Sequence, residues 1–206
     1  MRSATPATTG GSSSNKPKRL AMIDRPTSPR PRFGLRETVY RNAYQEIYRR
    51  RVDFGTFAKT YFVIDCGARA ALVVDRNGKI LLTRQYRHLI DGFSHEVPGG
   101  RLDEGEDPAA GALRECREET GIICKDPKPL LVFHPGLDTL HNPTHIFCTS
   151  TVARARPQDV HHREVEGPVW APLTECLQMI FRQEIIDSLS IIALLSYHVQ
   201  QSGTFR

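Results

Sequence analysis

Apolar positions recur along the chain with two different periods, and the switch between them outlines the elements. The runs 61–66, 70–75 and 79–84 are short and rich in Val, Ile, Leu and Ala, with turn residues around them. This predicts strands. Asn77-Gly78 separates the second run from the third and predicts a two-residue hairpin, because both positions of that turn need positive φ. Over 107–120 the period lengthens to that of a helix: Ala109, Ala112, Leu113, Cys116 and Thr120 fall on one face. Asp107 can cap this helix, Pro108 suits its first turn and Gly121 its C-terminal stop. Further strands are predicted at 129–133, 144–152 and 167–171. One closing helix starts near Leu173. A second starts near Ser188 or Ser190 and carries Ile191, Ile192, Leu194 and Leu195. Val39, Tyr40, Tyr44, Ile47 and Tyr48 have mixed spacing that does not separate helix from strand. There is no internal repeat. This order predicts an α/β (α+β) fold with a sheet packed between helices.

A length of 206 residues favours one domain with a tail. Residues 1–36 are Ser, Thr, Gly, Pro and basic residues with little to bury, which predicts a disordered tail. Residues 37–60 form an N-terminal segment and 61–202 the main domain. The formal charge of +5 is uneven: residues 1–51 contain only Asp24, Glu37 and Glu46 as acids, whereas acids dominate 91–119. The basic end is expected to be solvated, and nucleic acid is not an expected partner. The longest apolar run is far too short to span a bilayer, so a soluble, non-membrane protein is expected. Cys66, Cys116, Cys124, Cys148 and Cys176 are odd in number and widely spaced, without a zinc or disulfide framework. This fits a reducing compartment such as the cytoplasm. Residues near Met1 lack the apolar core of a signal peptide. Organelle import is the alternative, but Pro6, Pro17, Pro26, Pro29 and Pro31 work against an amphipathic targeting helix.

The candidate chemistry lies on the helix 107–120. Glu115, Glu118 and Glu119 fall away from its apolar face, and Glu115 and Glu119 are neighbours at i and i+4. Like charges this close imply either a solvated face relieved by Arg114 and Arg117 or a bound cation. Hard divalent ions take oxygen ligands of this type. Pro98-Gly99-Gly100 lets the backbone approach a ligand closely before the helix, and Glu106 is placed to pair with Arg114.

Gly100, Glu106, Arg114, Glu115, Glu118, Glu119 and Gly121, followed by the apolar Ile122, match every fixed position of the Nudix box, G-x5-E-x7-R-E-U-x-E-E-x-G-U. Such a match arises by chance in roughly a few per million chains of this size. Cys116 fills a slot where Leu or Ile is more usual, a mild departure because a buried Cys behaves as a small hydrophobe. The chain therefore resembles the Nudix family. The resemblance implies an α/β/α sandwich with a mixed sheet, and a loop–helix–loop that binds divalent metal and positions a diphosphate. It implies Glu115, Glu118 and Glu119 as metal ligands with the Gly99 carbonyl, catalytic roles for Glu118 and Glu119, and a structural Glu106–Arg114 ion pair. The implied metal is Mg2+, with Mn2+ as the alternative. Such an ion offsets the charge of a diphosphate and lowers the pKa of water.

Beyond the box, the chain is similar to the branch acting on ADP-ribose and other nucleoside diphosphate sugars. Arg84-Gln85-Tyr86-Arg87 and Glu96-Val97-Pro98 resemble the strand and loop before the box. Arg84 and Arg87 are candidate phosphate contacts, or else surface charge, and Glu96, a candidate for the substrate site, is similar to a family position near the metals, or else has a simple structural role. Pro135-Gly136 resembles the loop after the box but lies closer to it, and Leu137-Asp138 stands where a Glu often follows. Glu184-Ile185-Ile186-Asp187-Ser188 resembles the turn between the last two helices, a packing signature. The resemblance places a catalytic carboxylate on the loop before the final strand, with Glu164 favoured and Glu166 second. His161 and His162 read as loop residues, because they lack the i, i+4 spacing of a helical zinc site. Tyr44 and Tyr40 are candidates for base stacking across a homodimer, or else packing residues, and Trp170 reads as core. The leading expectation is a diphosphatase for a small nucleotide sugar. An RNA-end or other nucleotide diphosphate hydrolase and a non-catalytic nucleotide-sugar binding module are the alternatives. The intact glutamate set argues against the binding module.

Overall fold

The computed structural model describes residues 30–155 and 165–203. The chain opens with three antiparallel strands, β1 (Arg32–Arg41), β2 (Glu46–Asp53) and β3 (Ala58–Asp65). The residues of mixed apolar spacing thus lie in and around a strand hairpin. β1 begins inside the segment expected to be a tail, and residues 1–29 lie outside the described residues. Composition concealed this strand because it buries nothing within the chain: all ten of its residues are exposed. Pairing holds it instead, through the β2 ladder and the ion pairs Arg32–Asp53, Arg36–Glu46 and Arg49–Glu37.

The main domain follows with β4 (Arg69–Arg76), β5 (Lys79–Arg87), β6 (Gly92–Glu96), β7 (Gly99–Arg101) and α1 (Pro108–Thr120). Next come β8 (Ile122–Lys125), β9 (Lys128–Phe133), β10 (Leu140–His141), β11 (Thr144–Thr149), β12 (Thr151–Ala155) and β13 (Val165–Pro172). The chain closes with α2 (Leu173–Phe181) and α3 (Ser188–Ser202). The main sheet runs β13-β5-β4-β11-β9, with β6 added to β5 and β7 to β4. It is mixed, since β11 is parallel to β4 and antiparallel to β9. β10 extends the N-terminal sheet by pairing parallel to β3. The β4–β5 connection has Asn77 at φ 56° and Gly78 at φ 78°, as the predicted turn demands. The run 144–152 proves to be two strands broken at Ser150, because β12 leaves the main sheet to pair with β8.

The sheet is packed on both faces. Side chains alternate along β4, so Ala71 and Val73 join Cys176 and Met179 of α2 and Leu189, Ala193 and Leu194 of α3. Ala70, Leu72 and Val74 join Ala112 and Cys116 of α1 with Phe147. Trp170 packs half-buried against this second cluster. The turn 184–188 is a packing element, as its sequence suggested. The Glu184 carbonyl accepts from the His95 N–H at 2.8 Å, and Asp187 caps α3 by accepting from the Ser190 N–H at 2.9 Å. All five cysteines are free. Among the described residues no helix is long and apolar enough to cross a membrane.

Candidate active site

Helix α1 projects the candidate carboxylates, and its ends are fixed as the sequence required. Asp107 Oδ1 accepts from the N–H groups of Ala109 and Ala110, each at 3.0 Å. Gly121 at φ 69° returns its N–H to the Arg117 carbonyl. Ala112, Cys116 and Thr120 are buried on the inner face, and Gly111 is buried on the opposite side, that of Glu115 and Glu118, beneath the preceding loop. A Cβ at Gly111 would lie 2.2 Å from Leu102 Cδ2 and 3.0 Å from Glu106 Oε2. This glycine lets the loop before the helix lie directly on it.

That contact delivers Glu106 to Arg114. Arg114 donates Nε to Glu106 Oε1 at 2.8 Å and Nη2 to Oε2 at 2.9 Å, a two-point pair. The Asp103 N–H adds a third bond to Glu106, at 3.0 Å. The guanidinium, followed by this N–H, holds the Glu106 carboxyl down at about 2. Arg114 also donates to the Arg101 carbonyl at 3.0 Å, to Glu115 at 2.8 Å and to Glu118 at 3.0 Å. It therefore ties the loop and two of the three outward glutamates together.

Glu119 is held differently. Its Oε2 accepts from the Gly99 N–H at 3.0 Å and its Oε1 from Gln85 Nε2 at 2.9 Å. Burial pushes its carboxyl up to about 7, and the Glu115 and Glu96 charges push the same way. Burial also raises Glu115, despite the opposing Arg114. Both glycines of the turn have close neighbours, strand atoms at Gly99 and a flexible side-chain end at Gly100. A Cβ at Gly99 would lie 2.6 Å from Ala71 Cβ, and one at Gly100 would lie 2.3 Å from Glu115 Oε2.

The three glutamates share one side of α1 but do not converge on one point. Glu115 and Glu118 turn to Arg114, and Glu119 turns to Gln85 and Gly99. Among the described residues no group of three or more His, Cys, Asp or Glu side chains is gathered to hold a metal. The donor chemistry nevertheless fits a hard divalent ion. All donors are carboxylate or carbonyl oxygens, the ligand type that such an ion takes.

The other candidates divide by position. Arg87 donates Nε to Glu96 Oε1 at 2.7 Å and a second N–H to Glu96 Oε2. Glu96 is almost fully buried, so this ion pair forms part of the floor beside Glu119. Arg84 stacks on Phe93, 3.8 Å from the ring centroid, and pairs with Glu166. Tyr44 is exposed, and Arg101 anchors its loop by donating to the Ala43 and Tyr44 carbonyls at 3.1 and 2.9 Å. Tyr40 is exposed on β1. His161, His162 and Glu164 lie outside the described residues. Reading of the sequence assigned no role to Gln85, Gly111 or Arg101. A strand amide and an arginine carry no motif signal, and a glycine inside a helix reads only as a weak point.

Helices on both faces of a mixed sheet, with a glycine turn abutting a helix that carries three glutamates, make an oxygen-donor site of the kind that serves a metal-dependent hydrolase of phosphate anhydrides. The sequence profile of the NUDIX domain matches residues 66–189, and the chain belongs to the Nudix family, whose members generally depend on divalent metal. The chain is 30% identical over 139 residues to an ADP-ribose pyrophosphatase of Mycobacterium tuberculosis, spanning 66% of this chain and 67% of that protein. It is 25% identical over 162 residues to an ADP-ribose pyrophosphatase of Bacillus subtilis, spanning 77% and 88%. It is also 30% identical over 142 residues, 69% and 68% of the two chains, to a CMP-5'-(N-acetyl-N-hydroxy-3-aminopropyl)phosphonate hydrolase of Streptomyces rubellomurinus. A crystal structure of an ADP compounds hydrolase superposes with a TM-score of 0.75 at 17% identity, covering 88% of this chain and all of that one, which is a likeness of fold.

Proposed function

We propose that the protein hydrolyses the diphosphate of ADP-ribose or a related nucleoside diphosphate sugar, with Mg2+ as its metal. One water is consumed, one P–O–P bond is broken, and a nucleoside monophosphate and a sugar phosphate are released. The observation that carries this reading is the box itself: Glu115, Glu118 and Glu119 on one side of α1, against Gly99 and Gly100, with Arg114 locked to Glu106. The names of the similar proteins from Mycobacterium tuberculosis and Bacillus subtilis support the choice of substrate.

Glu115, Glu118, Glu119 and the Gly99 carbonyl would hold the ion. When bound, a divalent ion offsets the charge of the diphosphate and makes water more acidic. Glu119, raised and held by two N–H donors, presents a fixed carboxylate at the site. Glu118 is the more exposed and the freer to exchange partners. The Arg87–Glu96 pair shapes the floor, and Arg84 is the cation available to a phosphate oxygen once it leaves Glu166. Glu164 is our candidate for the base that takes the proton of the attacking water, with Glu166 second. Tyr44 is the candidate platform for the base, as an exposed ring on a loop anchored by Arg101.

A homodimer and a cytoplasmic location belong to the same reading. The N-terminal strands leave the large apolar side chains of Phe33, Leu35, Val39 and Phe62 exposed, and a second copy would cover part of this area. The RNA-end alternative gains little from the charges on β1 and β2, where Arg32, Arg36, Arg41 and Arg49 are already paired with acids.

The test is incubation with Mg2+ and a panel of sugar diphosphates, dinucleotides and triphosphorylated RNA, with Glu119→Gln in parallel. Release of AMP and ribose 5-phosphate from ADP-ribose, lost in the variant, is the expected result. Turnover of RNA ends alone, or of no diphosphate at all, refutes the proposal.

A further inference from the structure

We infer that Gln85 is a positioning residue that sets the metal-facing orientation of Glu119, an inference that rests on the reading of Glu119 as a metal ligand. Thr83, Gln85 and Arg87 alternate onto one face of β5, the face turned toward α1. Gln85 is 6% exposed and Thr83 fully buried. The Thr83 hydroxyl donates to the Glu96 carbonyl at 3.3 Å, so its oxygen is left to accept. It accepts from Gln85 Nε2 at 3.1 Å, and this fixes which end of the amide faces inward. A primary amide nitrogen has two hydrogens, and the second goes to Glu119 Oε1 at 2.9 Å. The polarity of the Gln85 side chain is therefore dictated by the β6 backbone through a buried hydroxyl.

The second oxygen of Glu119 is held from the other side by the Gly99 N–H at 3.0 Å, and Gly99 is itself paired with Ala71 of β4. One N–H on each oxygen fixes the plane of the carboxylate. An ionised carboxylate has about four acceptor sites, so two donors leave room for a cation. Glu115 and Glu118 take their side-chain bonds from Arg114, on their own helix. Glu119 is thus the glutamate of the set that is anchored to the sheet. Partners that orient a ligand in this way are commonly worth a factor of about 10–100 in metal affinity.

The experiment is titration of the full, metal-free chain with Mn2+ alone, comparing wild type, Gln85→Met, Thr83→Val and Glu119→Gln, with thermal melting of each metal-free protein recorded alongside. Gln85→Met keeps length and apolar bulk but removes both donors. We expect its Mn2+ dissociation constant to rise tenfold or more. Thr83→Val should shift it in the same direction by a smaller factor, and the activity of Gln85→Met should recover at high metal. If Gln85→Met does not fold, Thr83→Val decides. Wild-type affinity in both Gln85→Met and Thr83→Val, with binding lost in Glu119→Gln, overturns this inference and leaves the proposed function standing. No Mn2+ uptake by the wild type, or full uptake by Glu119→Gln, overturns both.

Discussion

Adjacent glycines at the turn before α1 should fail in opposite ways when each is changed to alanine. At Gly100 the new methyl would meet Glu115 Oε2 at 2.3 Å, with Cδ and Oε1 close behind. An ordinary carbon–oxygen contact is about 3.3 Å or longer, so the carboxylate must retreat by about 1 Å. It is the end of a flexible side chain, and its retreat costs at most one bond from Arg114, about 1 kcal/mol of stability. A 1 Å displacement in a reacting site, in contrast, costs about 100-fold in rate, or about 2.7 kcal/mol of activation free energy. At Gly99 the methyl would meet Ala71 Cβ at 2.6 Å, the Ala70 carbonyl at 2.7 Å and Ala71 Cα at 2.8 Å, all on the central strand. None of these can swing aside, so overpacking of about 1–3 kcal/mol is expected. For a domain of this size that lowers Tm by roughly 2–12 °C. Thermal melting and steady-state hydrolysis of the two purified variants separate the effects. Gly100→Ala should melt near wild type and turn over about 100-fold more slowly, while Gly99→Ala should lose stability first. Wild-type turnover by Gly100→Ala would refute the packing of Glu115 against the turn.

Two further predictions concern charge. Metal-free protein should lose stability as pH rises from about 4.5 to about 7: Glu119 titrates near 7 when folded against an ordinary 4.5, so the folded state binds the extra proton across that window. At 1.36 kcal/mol per pH unit this amounts to about 3 kcal/mol. Glu115 adds in the same sense, His145, lowered by burial, opposes it, and Glu106 acts only below the window. Urea unfolding at intervals of pH should show a shallower decline in Glu119→Gln, and equal slopes would count against the assignment. Glu106→Gln removes the charge from a two-point pair and should cost about 1–2 kcal/mol in urea unfolding, whereas an unchanged midpoint would mean that Arg114 is held adequately by its other partners.

Legibility in the sequence followed the range of the forces involved. Helix α1 was readable to the residue, because Asp107, Pro108 and Gly121 act on their own neighbours in the chain. The β4–β5 hairpin was readable for the same reason. β1 was not, because its ten exposed residues show no burial pattern and its partners lie across the hairpin. β6 and β7 were missed because Gly92, Gly99 and Gly100, with Pro98 between the two strands, give this stretch the composition of a loop, although the β5 and β4 ladders hold it extended. The break at Ser150 reflects a change of pairing partner, which no local pattern records. Of the site, the box was legible as spacing alone. The links of Gln85 to Glu119, Gly111 to Leu102 and Arg101 to Tyr44 join residues 34, 9 and 57 positions apart. Only the folded chain brings them together.

The alternation along β4 also limits how the gene can drift. One inserted or deleted codon within this strand would exchange Ala71 and Val73 with Ala70, Leu72 and Val74, inverting both cores at once. The same slip would remove Ala70 and Ala71 from beneath Gly100 and Gly99, and with them the seat of Glu115 and Glu119. Changes of length should therefore accumulate among descendants of this sequence in the bend before β10 and spare the central strand, where a frame-preserving indel would be as damaging as loss of a catalytic side chain.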